Sequence, residues 1–118
     1  MTCIAGTYNI TCDQGATFSR SITWTDSARN PYNITGYTAR MHVRETADAA
    51  NTITTLTTSN SRIALGGTAG TITLTIAATD TANLTPGLYV YDLELVSGAG
   101  VVSRIIEGNF KVKAEVTR

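Results

Sequence analysis

The chain has 118 residues, a formal net charge of +0 with 15% charged residues, and a hydrophobic fraction of 42%. That length and apolar content suit one domain with one core, and the absence of a basic field argues against nucleic acid as a partner. No apolar run reaches the length of a membrane span, and Met1 to Gly6 lack the basic start and apolar stretch of a secretory signal, so a cytoplasmic chain with no membrane contact is expected.

So small a net charge gives little self-repulsion, which favours association and predicts a subunit of an assembly. The two cysteines, Cys3 and Cys12, would stand roughly 30 Å apart on one extended strand, far beyond disulfide reach, and only a hairpin at Ala5-Gly6-Thr7 would join them. Free thiols are expected, in keeping with a reducing compartment. Threonine is the commonest residue and alternates with Ile, Leu and Val, which suits a pleated surface with one wet face.

In chain order, Ile4 to Cys12 reads as a first strand closed by a turn at Asp13-Gln14-Gly15. Thr17 to Trp24 follows as a half-buried strand, with Phe18, Ile22 and Trp24 on one face and Ser19, Ser21 and Thr23 on the other. Asp26 to Pro31 has the turn chemistry of a loop. The clearest alternation is Tyr37 to Arg44, with Tyr37, Ala39, Met41 and Val43 inward and Thr38, Arg40, His42 and Arg44 outward. A one-residue slip would bury both arginines, so the register is strongly specified.

Glu45 to Asn51 breaks the pattern as a loop or single helical turn. Thr52 to Thr57 and Arg62 to Leu65 read as short strands around a Ser59-Asn60-Ser61 turn, and Gly66 to Gly70 as a hairpin loop before the strand Thr71 to Ile76. Ala77 to Leu84 has poor strand character, and a helical turn with Thr79 as cap is expected to cross there between sheets. Leu88 to Val96 is the most apolar strand, with Tyr89, Tyr91, Leu93 and Leu95 on one face and Asp92 and Glu94 on the other. Ser97 to Gly100 makes a hairpin to Val101 to Ile106, Gly108 is expected to mark a bulge or bend, and Phe110 and Val112 point inward from the last strand, Asn109 to Val116. Seven to nine short strands with regular turn signals predict an all-β fold, a sandwich or small barrel, and the crossover at Ala77 to Leu84 favours an antiparallel sandwich forming one domain over 1–118.

The candidates for chemistry are few. His42 is the only histidine, and its arginine neighbours disfavour a metal, so a solvent-facing or interface residue is expected. Asp92 and Glu94 have the spacing of a carboxylate pair for glycoside hydrolysis or Ca²⁺, against the simpler reading of a solvated face complementing basic residues such as Arg104. Gly66 to Gly70 lacks the Lys-Ser/Thr ending of a phosphate loop, and no nucleophile elbow occurs. The sequons at Asn9, Asn33 and Asn83 arise readily in so threonine-rich a chain. No catalytic, metal or cofactor residue is assigned, and no enzyme is expected. Most aromatics fall on inward positions, with Tyr8 and Tyr32 as the outward exceptions that would stack on a sugar.

The segment Leu84-Thr85-Pro86-Gly87-Leu88-Tyr89-Val90-Tyr91-Asp92 resembles the tyrosine corner of immunoglobulin-like sandwiches, with Tyr91 where antibody domains place their second Cys. Gln14 to Phe18 with Ile22-Thr23-Trp24, Ile34 to Met41 with Val43-Arg44, Gly70 to Ile76, Gly87 to Leu95, and Arg104, Gly108, Phe110 and Val112 together resemble small tailed-bacteriophage virion proteins. The likeness is to the β-sandwich at the N-terminus of baseplate upper proteins and to related tail or neck accessories. The resemblance implies an immunoglobulin-like fold and a scaffold role in the virion, assembled in the host cytoplasm. Its implied partners are other phage structural proteins and further copies of the chain in a homo-oligomer. Baseplate upper proteins continue into a fibre-bearing region where this sequence stops, so a free-standing adaptor is expected, with a capsid decoration protein or a carbohydrate-binding module as alternatives. The expected contact residues are Tyr8, Tyr32, Arg40, His42 and Arg44.

Overall fold

The structure, a computed structural model, describes residues 6–26 and 28–116. The expectations for Cys3 and for the start of the first strand at Ile4 lie outside the described residues. Nine strands form within them: β1 Gly6–Thr7, β2 Ile10–Asp13, β3 Phe18–Thr23, β4 Thr38–Arg44, β5 Thr54–Thr57, β6 Ile63–Leu65, β7 Thr71–Ile76, β8 Gly87–Val96 and β9 Val102–Lys113. One helical turn, α1 Ala78–Thr81, stands between β7 and β8.

The larger sheet has the order β1-β9-β8-β4-β5, and β2 also pairs with β9, following β1 along the same strand. Both short strands run parallel to β9, whereas β9, β8, β4 and β5 are mutually antiparallel. The smaller sheet is β3-β7-β6, antiparallel throughout. Three strands of one sheet thus face a sheet centred on β4, β8 and β9, the arrangement of an immunoglobulin-like sandwich with one added strand, β5, beside the central three. The fold class read from alternation and turn spacing is the one observed.

The core follows from period-two alternation. Ala39, Met41 and Val43 from β4, Tyr89, Tyr91, Leu93 and Leu95 from β8, and Phe110 and Val112 from β9 are buried against Phe18, Ile72, Leu74 and Ile76 of the smaller sheet. Phe110 sits between Phe18 and Tyr91, edge to face with each at 6.0 and 6.4 Å, a geometry that favours aromatic pairs beyond their buried area. The corner before β8 is made as the resemblance implied: the Tyr89 hydroxyl donates to the Thr85 carbonyl at 2.7 Å. Where an inter-sheet disulfide would stand, buried Tyr91 donates its hydroxyl to the Tyr8 carbonyl.

Several local expectations are corrected. The first strand breaks at Tyr8-Asn9 into β1 and β2, because Asn9 turns its Oδ1 to accept from the Asn109 amide at 3.0 Å. Thr79 does not cap α1; Ala77 occupies the N-cap with no side-chain hydrogen bond. The buried polar residue there is Thr81, whose hydroxyl donates to the Ala16 carbonyl at 2.8 Å and accepts from the Gly15 amide at 3.1 Å, tying the turn after β2 to the crossover. The bulge lies at Ile105 and not at Gly108, since Leu93 pairs with Ile106 while Glu94 pairs with Arg104. Gly108 serves a close approach: a Cβ there would stand 2.5 Å from the Tyr8 carbonyl oxygen.

Candidate functional site

The outer face of the larger sheet gathers a cluster of charged side chains. Cross-strand partners share a face, so the registers assemble it in rows. Arg40 of β4, Glu94 of β8 and Arg104 of β9 form one row; His42, Asp92 and Glu107 form the next; Arg44, Val90 and Asn109 form a third. These rows, apart from Arg40, line an open depression of about 550 Å³, with Ala47 from the loop after β4 at its side.

The bulge at Ile105 is what builds this surface. Arg104 and Glu107 are three apart, a spacing that puts residues of a regular strand on opposite faces. With one extra residue inserted between them, both point outward and flank Asp92. Arg104 reaches Asp92 at 3.3 Å and Glu107 at 3.8 Å, while Glu94 turns to the opposite side of β8 and meets Arg40 at 2.8 Å. The two carboxylates considered as a catalytic pair are therefore each matched to a different arginine, one on either flank. Both pairs are substantially exposed, so each contributes little to stability, roughly 0–1 kcal/mol.

Arg44 is held differently. Its Nη1 donates to the Ala49 carbonyl at 2.9 Å, which folds the Glu45 to Asn51 loop back over β4. Its Nη2 stands 3.3 Å from Nδ1 of His42. The half-buried histidine thus has a cation on one ring nitrogen and lies in a row with Asp92.

Of the five contact residues expected from sequence, Arg40, His42 and Arg44 come together on this face. Tyr8 lies apart, where its amide donates to the Glu107 carbonyl at 2.9 Å, and its side chain is partly open. Tyr32 is a correction: it is half-buried and packs on Trp24 with ring centroids 4.3 Å apart, so one face of its ring is already occupied. Glu107 and Asn109 were missed, although alternation back from the inward Phe110 and Val112 gives both the outward face. The strand alternation on β8 pointed correctly to Asp92 and Glu94 as outward residues.

The outer face of the smaller sheet is of another kind. Ser19, Ser21 and Thr23 pair with Thr75, Thr73 and Thr71, giving rows of hydroxyls without a charge, with Ser21 Oγ and Thr73 Oγ1 3.3 Å apart.

No protein-family model matches the chain, and no curated protein matches it. Among solved structures the chain is similar to "Drosophila OTK, extracellular domains 3-5", with 17% identity and a TM-score of 0.34. That alignment spans 95% of this chain but only 33% of the other, and the fold assignment rests on this chain's own strand order and tyrosine corner.

Proposed function

We propose that the chain is a structural subunit of a tailed-bacteriophage particle, a tail, baseplate or neck accessory that docks on its neighbours through the outer face of the larger sheet. The observation that carries the docking role is the matching of that face's ionisable groups: Asp92 with Arg104, Glu94 with Arg40, and His42 beside Arg44. A carboxylate pair that shares one reaction must converge on one substrate position, whereas Asp92 and Glu94 turn to different arginines on opposite flanks of β8. A patterned, charge-balanced face instead suits register and partner selection between proteins. The phage assignment is supported by the sequence segments from Gln14 to Val112 that resemble virion sandwich domains.

Mass spectrometry of purified virions from the genome that encodes the chain tests this reading. The chain is expected among the virion proteins, in a copy number set by ring symmetry, such as roughly six or twelve for a tail or neck position. Hundreds of copies would move it to the shell as a decoration protein, and absence from the particle would sink the proposal.

A further inference from the structure

The charges on the outer face are sorted by strand. The outward residues of β4 include Arg40, His42 and Arg44, with no acid, while those of neighbouring β8 include Asp92 and Glu94, with no base. Two adjacent strands of opposite sign make a surface that is complementary to itself. A two-fold axis lying in the plane of the face, parallel to the strands and between β4 and β8, carries each strand onto the other. It sets Arg40 over Glu94 and His42 over Asp92, and each contact occurs twice, as an isologous interface requires. Other placements are poorer: an axis along β8 would oppose Glu94 to its own copy and Arg40 to Arg104.

Two further features fit a covered face. Leu88 at one end is 65% exposed and Val102 at the other 49%, and both lie on this side of the sheet by register with Lys111 and Val96. The charges nearest the axis or beside it, Arg40, Glu94, Asp92 and Arg104, are already paired within the chain, so enclosing them does not strand an unpartnered ion, the situation that makes buried charge costly. Across such an axis four strands overlap, β9, β8, β4 and β5; about 4.8 Å apart and over the seven-residue length of β4, they offer at most roughly 19 by 23 Å in plan. That is below the roughly 800 Å² per partner of a standard interface and suits a weak, reversible dimer. The smaller sheet's outer face, with hydroxyl rows from β3 and β7 and Ala64 beside them, has no paired charges to fix a register.

We propose that two copies of this chain associate face to face through the larger sheet, β4 of each lying across β8 of the other. This deepens the docking role above by naming the first partner, and it does not depend on the phage assignment.

Analytical ultracentrifugation of the whole chain tests it. The unaltered chain is expected to show a monomer–dimer equilibrium that weakens with added salt. Arg40→Glu alone and Glu94→Arg alone should each be monomeric, because like charges then oppose across the axis. An equimolar mixture should form a heterodimer, since both cross-axis contacts become Glu with Arg, at least about tenfold tighter than either variant with itself. A monomer at every concentration and salt, or a dimer indifferent to Arg40→Glu, overturns the proposal. If either variant fails to fold, concentration-dependent amide chemical shifts of the unaltered chain decide it: changes centred on β4 and β8 support the interface, and changes centred on β3 or β6 overturn it. Absence from virions would remove the phage reading and leave this result standing; a strictly monomeric chain found in virions would do the reverse.

Discussion

Tyr89 and Tyr91, two residues apart on β8, both send buried rings inward, yet their hydroxyls hold different parts of the molecule. Tyr89 closes a local corner through Thr85, whereas Tyr91 reaches the Tyr8 carbonyl and fastens the N-terminal segment. Tyr89→Phe is expected to lower stability by about 1 kcal/mol in urea unfolding, the net contribution of one hydrogen bond. Burial, and secondarily the charge of Asp13, raises the Cys12 thiol from 9.0 to about 11; burial likewise raises Tyr91 above its ordinary 10.0. For both groups the unfolded chain ionises first: the stability tied to Cys12 is complete below pH 9 and falls as pH rises towards 11, and that tied to Tyr91 begins to fall above pH 10.0. Urea midpoints measured across that interval should decline, and Cys12→Ser should flatten the first part of the decline. Arg20 shows what alternation cannot resolve. It shares an inward position with Phe18 and Ile22, stacks 5.6 Å over the Phe18 ring, and leaves a buried Nε without a hydrogen-bond partner among the described residues. Arg20→Met keeps the apolar stem and removes that donor. The urea midpoint should therefore rise, by an amount corresponding to about 1 kcal/mol.

At the scale of elements, β9 organises the larger sheet. It pairs antiparallel with β8 on one side and parallel with both β1 and β2 on the other. Its bulge sets which side chains join the charged face, and Gly108 sets how closely the N-terminal strands approach. Gly108→Ala would press a methyl group against the Tyr8 carbonyl oxygen at 2.5 Å and the Asn9 side chain at 2.9 Å. Backbone must then shift, at a cost on the order of 2 kcal/mol. Amide hydrogen exchange should accelerate over Gly6–Asp13 while the β4–β8 ladder keeps its protection; uniform acceleration would mean that β1 and β2 are inseparable from the rest. The special status of Gly108 was legible in the sequence, because a glycine inside a strand signals either a bulge or a close approach. Which of the two applied depended on a strand about a hundred positions away, so no local pattern contained it.

For the whole molecule, the chain crosses between sheets after β3, after β5, after β7 at α1, and between the N-terminal strands and β3. Neither sheet is completed by a contiguous stretch of sequence. Gly6 pairs with Ile106 and Ile10 with Phe110, so the larger sheet closes only when the ends meet. Unfolding is therefore expected to be a single cooperative transition. Trp24, the only tryptophan, packs against the core at the end of β3, next to the smaller sheet. Its fluorescence and the far-UV circular dichroism of all strands should give coincident denaturation curves. Separate midpoints would show that the two sheets lose structure independently. Folding should be slow for the size of the chain, in the millisecond-to-second range of sandwiches rich in non-local pairing.

The strands themselves were legible because alternation is a property of neighbouring residues. Ala39, Met41 and Val43 had to face inward if Arg40 and Arg44 were to reach water, and the same logic placed Tyr89 to Leu95 without knowledge of any partner. Turn chemistry supplied the punctuation, and together these determined an all-β sandwich. Tertiary structure alone decided which strand lies beside which. That choice put basic β4 beside acidic β8, paired Asp92 and Glu94 with different arginines, moved the bulge to Ile105 so that Arg104 and Glu107 share the outer face, and packed Tyr32 on Trp24. Pairing is settled by the burial of both sheets at once, a sum over residues far apart in the chain, and the charged face is a consequence of that sum.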